Sequence, residues 1–312
     1  MTTSAPSIPA ISKVSDVEGP WRRAWRQFLR QRSAIIGMIM IGLLAFTAIF
    51  APLIAPYDPI GVLLGKEEGI KKRSGPCIHL LGCPTEQPQH LMGVDGNFRD
   101  LFSRIIYGAR LSLLIGFVTV AISLSIGTFL GALAGYIGGW FDNLVMRILD
   151  VVLAFPFLLL AIAIVSVLGP GLMNAMLGIA IVSVPAYARV IRASVLSARE
   201  EDYVLAARTI GATPAKILFG HIMPNAISPL IVQATLGIGT AILEVAALSF
   251  LGLGAQPPTP EWGSMLSAER NQVFTAPHLV FFPGLAIMFT VLGFNLIGDG
   301  LRDALDPRLK RS

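Results

Sequence analysis

The sequence predicts an all-α integral membrane protein with six transmembrane helices, and three observations carry that expectation. Hydrophobic residues make up 54% of the 312 residues and charged residues only 14%, whereas a soluble domain is about a quarter charged. Six stretches (34–56, 110–136, 144–168, 172–196, 227–253 and 277–298) are apolar over the length a span requires, about 20 residues for a hydrocarbon core about 30 Å thick. Lysine and arginine cluster beside these stretches, so the net charge of +5 reads as membrane topology. Nucleic acid is therefore not an expected partner.

Residues 1–33 form an N-terminal tail whose first twenty residues lack the apolar core of a cleavable signal. Its end, "WRRAWRQFLRQR", spaces Trp21, Trp25, Phe28 and Leu29 as one helical face, with Arg22, Arg23, Arg26 and Arg30 opposite. Such a helix lies on anionic membrane lipid; the plainer reading is an ordinary basic flank of the first span, 34–56. The 57–109 segment is a long polar loop. It contains Lys66, Lys71, Lys72 and Arg73, but loops of that length translocate largely regardless of charge. Arginines and lysines before the first span, along 189–221 and after 298 then fall on one side if both termini are cytoplasmic.

The core, 110–298, follows. In its first span Gly127, Gly131, Gly135 and Gly139 recur every fourth residue, a bare helix face that admits a second helix. That face serves packing within the chain or a subunit interface. Pro156, Pro185, Pro229 and Pro283 interrupt four spans, which suits a bundle that bends. The remaining residues, 299–312, form a basic cytoplasmic tail.

Residues 203–222 within the core read differently from their surroundings. Tyr203, Ala206, Ala207 and Ile210 share one face of a short helix. Gly211 supplies a left-handed residue to end it, Thr213 can cap a second helix with Pro214 in its first position, and Pro224 marks entry to the next span. Small residues at 206 and 207 give a low-profile face that could seat in a groove of another protein.

Catalytic motifs are missing: the sequence has no HExxH, GxSxG or GxxxxGK[ST]. His79, His90, His221 and His278 show no ligand spacing, so no metal, cofactor or catalytic residue is expected. Cys77 and Cys83 sit in the 57–109 loop, where an oxidising address favours a disulfide; joined by His79 they could instead ligate a metal. Glu244 lies well inside the fifth span, and an intramembrane carboxylate is a functional candidate, or a structural one held by neighbouring helices. With Gln233 and Asn295 it makes the candidate translocation pathway. A membrane-embedded enzyme is the rival class; a receptor or scaffold would leave 203–222 unexplained.

Several motifs now carry a resemblance. Ala206-Ala207, Gly211 and Met223-Pro224 are similar to the EAA loop of bacterial ABC importer permeases, with Leu205 where that family has glutamate and Met223 where leucine is usual. "GVDGNFRDLFSRIIYGARLSL" (93–113) resembles the GTDxxGRDxxSRxxxGARxSL segment of the peptide-importer branch, with Val94 and Phe98 departing. "AALSFLGLGAQPPTPEWGSML" (246–266) and "FNLIGDGLRDALDPRLK" (294–310) resemble the C-type permease of dipeptide/oligopeptide importers. The similarity runs from about residue 20 to the end and leaves 62–90 individual.

The resemblance implies the type I ABC importer permease fold in a bacterial inner membrane, with 203–222 as the coupling loop that docks on an ATPase. It implies, as partners, a second homologous permease subunit in a heterodimer, two cytoplasmic ATPase subunits and an external substrate-binding protein. It implies di- or oligopeptide substrates, with nickel chelates, glutathione or sugars as alternatives.

Overall fold

The computed structural model describes residues 20–305; the first part of the expected N-terminal tail and the end of the basic C-terminal tail lie outside the described residues. Within these the fold is helical apart from a long loop at 55–100, shorter connections and three isolated β-bridges. In chain order the helices are α1 (Pro20–Phe28), α2 (Arg32–Ile49), α3 (Ala51–Ile54), α4 (Leu101–Ile137), α5 (Gly139–Leu153), α6 (Phe157–Leu168) and α7 (Leu172–Ala198). They continue with α8 (Asp202–Thr209), α9 (Pro214–Lys216), α10 (Met223–Ala226), α11 (Ser228–Phe250), α12 (Trp262–Glu269) and α13 (His278–Leu305).

Five helices (α2, α4, α7, α11 and α13) are each long and apolar enough to cross a bilayer. The stretch expected as a third continuous span is instead the pair α5 and α6, bent by 90°. Pro156 explains the break. It lacks the N–H that would continue α5, and its ring disfavours helical geometry at Phe155. At ~1.5 Å per residue neither half alone reaches across a core of about 30 Å; the described residues thus hold five spans, or six if the bent pair counts as one. Pro185 and Pro283 lie inside α7 and α13, but Pro229 sits in the first turn of α11, where proline fits without interrupting anything.

Span ends also move. α4 starts at Leu101, earlier than hydropathy suggests, because Asp100 caps it by accepting a hydrogen bond from the Ser103 amide at 2.7 Å. α13 runs on to Leu305, so Asp299, Arg302 and Asp303 belong to a helix, not to a tail.

The α4–α7 pair is the centre of the bundle, and the glycine face is what closes it. A Cβ on Gly127 would stand 2.7 Å from the Tyr187 Cβ and 2.8 Å from the Val184 carbonyl oxygen; one on Gly131 would collide with the Ala188 carbonyl. The face is thus used within the chain. Gly139 is not part of it: it opens α5 at φ +59°, beyond the end of α4. Arg192 then ties α5 to α7 through a two-pronged ion pair with Asp142, at 2.5 Å on each prong. Near the start of the chain, Phe28 is buried against Ala34 and Ala304, which clips α1 to the end of α13. Phe28 therefore packs inside the protein, while Trp25 and Leu29 stay exposed on the face read as lipid-facing.

Candidate functional site

At one end, Val190, Ser228, Arg302 and Leu305 converge around a surface depression, which gathers α7, the start of α11 and the end of α13. The segment 199–227 lies at this end. α8 ends at Thr209, and Gly211 just beyond it takes a φ of +79°, the left-handed geometry a glycine accepts. Thr213 caps α9 by accepting from the Lys216 amide, and Pro214 occupies the first turn. A π-helical stretch, Ile217–Ile222, and α10 lead into α11.

The face of α8 is split. Tyr203, Ala206 and Ile210 are exposed, Ile210 at 84% of its surface. Ala207 does not share their face: it is only 4% exposed and packs with Val204 (three residues earlier), Ile217, Leu218 and Ile222. The reason is geometric, since helix positions three apart stack on one side and Val204 had to be buried. Ala206 keeps the low profile outside; Ala207 is core. Pro224 is exposed in the first turn of α10.

Among the pathway candidates, Gln233 and Glu244 line one cavity of about 260 Å³ between α4, α7, α11 and the α5–α6 break; Asn295, on α13, does not line it. The cavity is also lined by Thr119, Ser123, Ser183, Tyr187 and Thr240, none of which the sequence singled out. A signal existed in the spacing of Thr119 and Ser123, four apart and therefore on one face of α4. Nothing in the sequence said that this face meets Glu244.

The opposite end carries 55–100 and 251–277. Cys77 and Cys83 are bonded there, with Cα atoms 5.4 Å apart. Cys77 exchanges two backbone hydrogen bonds with His90. His90 is 2% exposed and stands between two carboxylates, with Asp100 Oδ1 2.8 Å from Nδ1 and Glu67 Oε2 3.1 Å from Nε2. Burial opposes its charge, but the bonds and negative potential of Asp100 and Glu67 prevail and raise its pKa. Burial, then Glu67, pushes the neighbouring Tyr57 hydroxyl up to about 12, which keeps it neutral. Glu269 accepts from Arg73 Nε and from the Gly96 amide, both at 2.8 Å, and so fastens this loop to α12. No motif announced these long-range pairs. No group of three or more His, Cys, Asp or Glu suited to a metal occurs among the described residues.

The family model for the inner membrane component of binding-protein-dependent transport systems matches residues 127–311, and that for the N-terminal transmembrane domain of oligopeptide transport permease C matches 19–66. A dipeptide transport system permease protein of Alkalihalophilus pseudofirmus is 49% identical over 310 residues, 99% of this chain and 97% of that protein. Glutathione transport system permease proteins of Pectobacterium atrosepticum and Escherichia coli O157:H7 are 45% and 48% identical over 304 residues, covering 97% of this chain and 96% and 95% of theirs. Among solved structures, the methionine ABC transporter MetNI in an inward-facing conformation superposes with a TM-score of 0.52 at 21% identity, over 65% of this chain and 96% of that one.

Proposed function

The chain belongs to the family of binding-protein-dependent transport inner membrane components, and from that premise we propose that it is one half of a heterodimeric permease importing di- or oligopeptides. That it is a multi-pass, non-catalytic permease subunit of an ABC importer follows from the family itself, as does its work with ATPase and substrate-binding components. The finer reading is ours. A second, homologous permease subunit completes the membrane unit, two ATPase subunits sit in the cytoplasm, and the binding protein delivers solute from outside.

Orientation follows from charge. The end that gathers Arg189, Arg192, Arg199 and Arg302 faces the cytoplasm, so both termini do as well. The disulfide-bearing loop then lies in the oxidising compartment, where such bonds persist. α8 presents Tyr203, Ala206 and Ile210 to an ATPase cleft, and ATP-driven closure there would be transmitted through Val204 and Ala207 into the α4–α7 core.

The observation that carries the docking assignment is the 84% exposure of Ile210 next to a glycine held at φ +79°. A large apolar side chain on a rigid, capped element is suited to a partner's groove. Peptide substrates are favoured by the dipeptide relative; the glutathione relatives support glutathione, itself a tripeptide, as the second reading. The test is reconstitution of the chain with its genetic neighbours in proteoliposomes, followed by ATP-dependent uptake of radiolabelled dialanine and of glutathione. Uptake of neither would overturn the peptide assignment.

A further inference from the structure

We infer that Glu244 and Thr119 form a subsite in the membrane cavity for the free ammonium group of the transported solute. The inference rests on the peptide-importer reading and goes beyond it, to the chemistry of one contact.

Glu244 lies on α11 six residues before its end at Phe250, about 9 Å along the helix at ~1.5 Å per residue. A carboxylate at such a depth requires an opposite charge or a dense set of donors. Among the described residues no Lys, Arg or His pairs with Glu244, and its carboxyl group faces the cavity of about 260 Å³.

A second observation points to a ligand independently. Thr119 is 1% exposed and lines the same cavity, and its hydroxyl has no hydrogen-bond partner. Helical threonines ordinarily return that hydroxyl to a carbonyl one turn back, as Thr235 and Thr290 do here. A buried hydroxyl left unpartnered costs about 1–3 kcal/mol, which is tolerable where something enters to use it.

The cavity has the form of a recognition site as well. Tyr187 projects its hydroxyl so close to Gly237 that a Cβ there would collide with it, which fixes the wall between α7 and α11. Leu153 and Phe157, either side of the 90° break, supply an apolar flank. One anion, an unpartnered hydroxyl oxygen and an apolar flank suit an ammonium head with a short side chain beside it. An ammonium brings three donors and no acceptor, and both oxygens can accept from it.

The probe is dialanine, with N-acetyldialanine as the same molecule without the charge. The full importer carries Thr240→Cys as a reporter in the cavity wall, with Ser183→Cys as a second reporter should the first fail to assemble. The native cysteines are bonded to each other and do not react. Dialanine should protect the reporter from a small thiol reagent, and N-acetyldialanine should not. Glu244→Gln should weaken that protection about tenfold, the scale of a lost charged hydrogen bond, and Glu244→Asp should restore most of it. Equal protection by the two peptides, protection unaltered by Glu244→Gln, or no protection in a complex that takes up dialanine would overturn the subsite alone. Absence of dialanine uptake by the wild-type complex would overturn the peptide reading, and the subsite with it.

Discussion

His90 Nδ1 lies 2.8 Å from Asp100 Oδ1, and Asp100 at the same time caps α4 through its other oxygen. One carboxylate thus couples the disulfide loop to the entry of the central helix. The His90 pKa is raised in the fold, because the pairing with Asp100 and Glu67 outweighs burial.

A group with a raised folded pKa stabilises fully below its unfolded value, near 6.5, and loses that contribution as pH rises through the folded value. The loop should therefore be tightest in mild acid and loosen as pH rises past the range of ordinary histidine. Hydrogen exchange of the Cys77 and His90 amides, followed across that range, checks this. His90→Gln should flatten the profile; an unchanged profile would show that His90 does not set it.

Gly131 gives a prediction about the centre of the bundle. Gly131→Leu would drive a side chain into the Ala188 backbone, whereas Gly42→Leu meets nothing within 4 Å. Overpacking of a closed helix pair costs about 1–3 kcal/mol, and more when backbone must move. The first variant should lower the melting temperature of the detergent-purified protein and the second should not. Equal shifts would contradict the use of this face within the chain.

Two variants of the coupling segment separate its exposed face from its buried one. Ile210→Asp alters only the exposed face and should abolish co-purification of the ATPase without lowering yield. Ala207→Trp overfills the core beneath α8, so it should reduce yield first. Retention of the ATPase by the Ile210 variant would sink the docking assignment.

Phe98 departs from the glycine of the segment it resembles, and its φ is +57°. Left-handed geometry costs a non-glycine residue about 1–2 kcal/mol. Phe98→Gly should therefore be tolerated in stability, and Phe98→Val should be worse than either, since a β-branched residue resists that geometry most. Thermal denaturation of the three proteins ranks them; a valine variant as stable as wild type would refute the account.

Closing the ring between Cys77 and Cys83 corresponds to about 2.4 kcal/mol in the loop-entropy model, enough to order a loop and too little to decide the folding of the bundle. Cys77→Ser with Cys83→Ser should leave assembly intact and lower stimulation of ATP hydrolysis by the binding protein. Unaltered stimulation would show that the loop does not shape a surface that meets the binding protein.

The sequence by itself determined the membrane class, the positions of the long spans and the capped pair around Gly211, because hydropathy, proline and glycine chemistry act over a few neighbouring residues. It also carried the family, through motifs spread from about residue 20 to the end. Tertiary structure decided what depends on which helix meets which. Gly131 faces α7 and not a second subunit; Ala207 turns inward beneath Val204; Pro156 breaks one apolar stretch into two helices; and Thr119 and Glu244, 125 positions apart by subtraction of their numbers, share one cavity. The Glu269 contacts with Arg73 and Gly96 are of the same kind. A local pattern shows that a side chain is polar, small or capped, but the partner that gives it a role arrives from a distant stretch only when the helices pack.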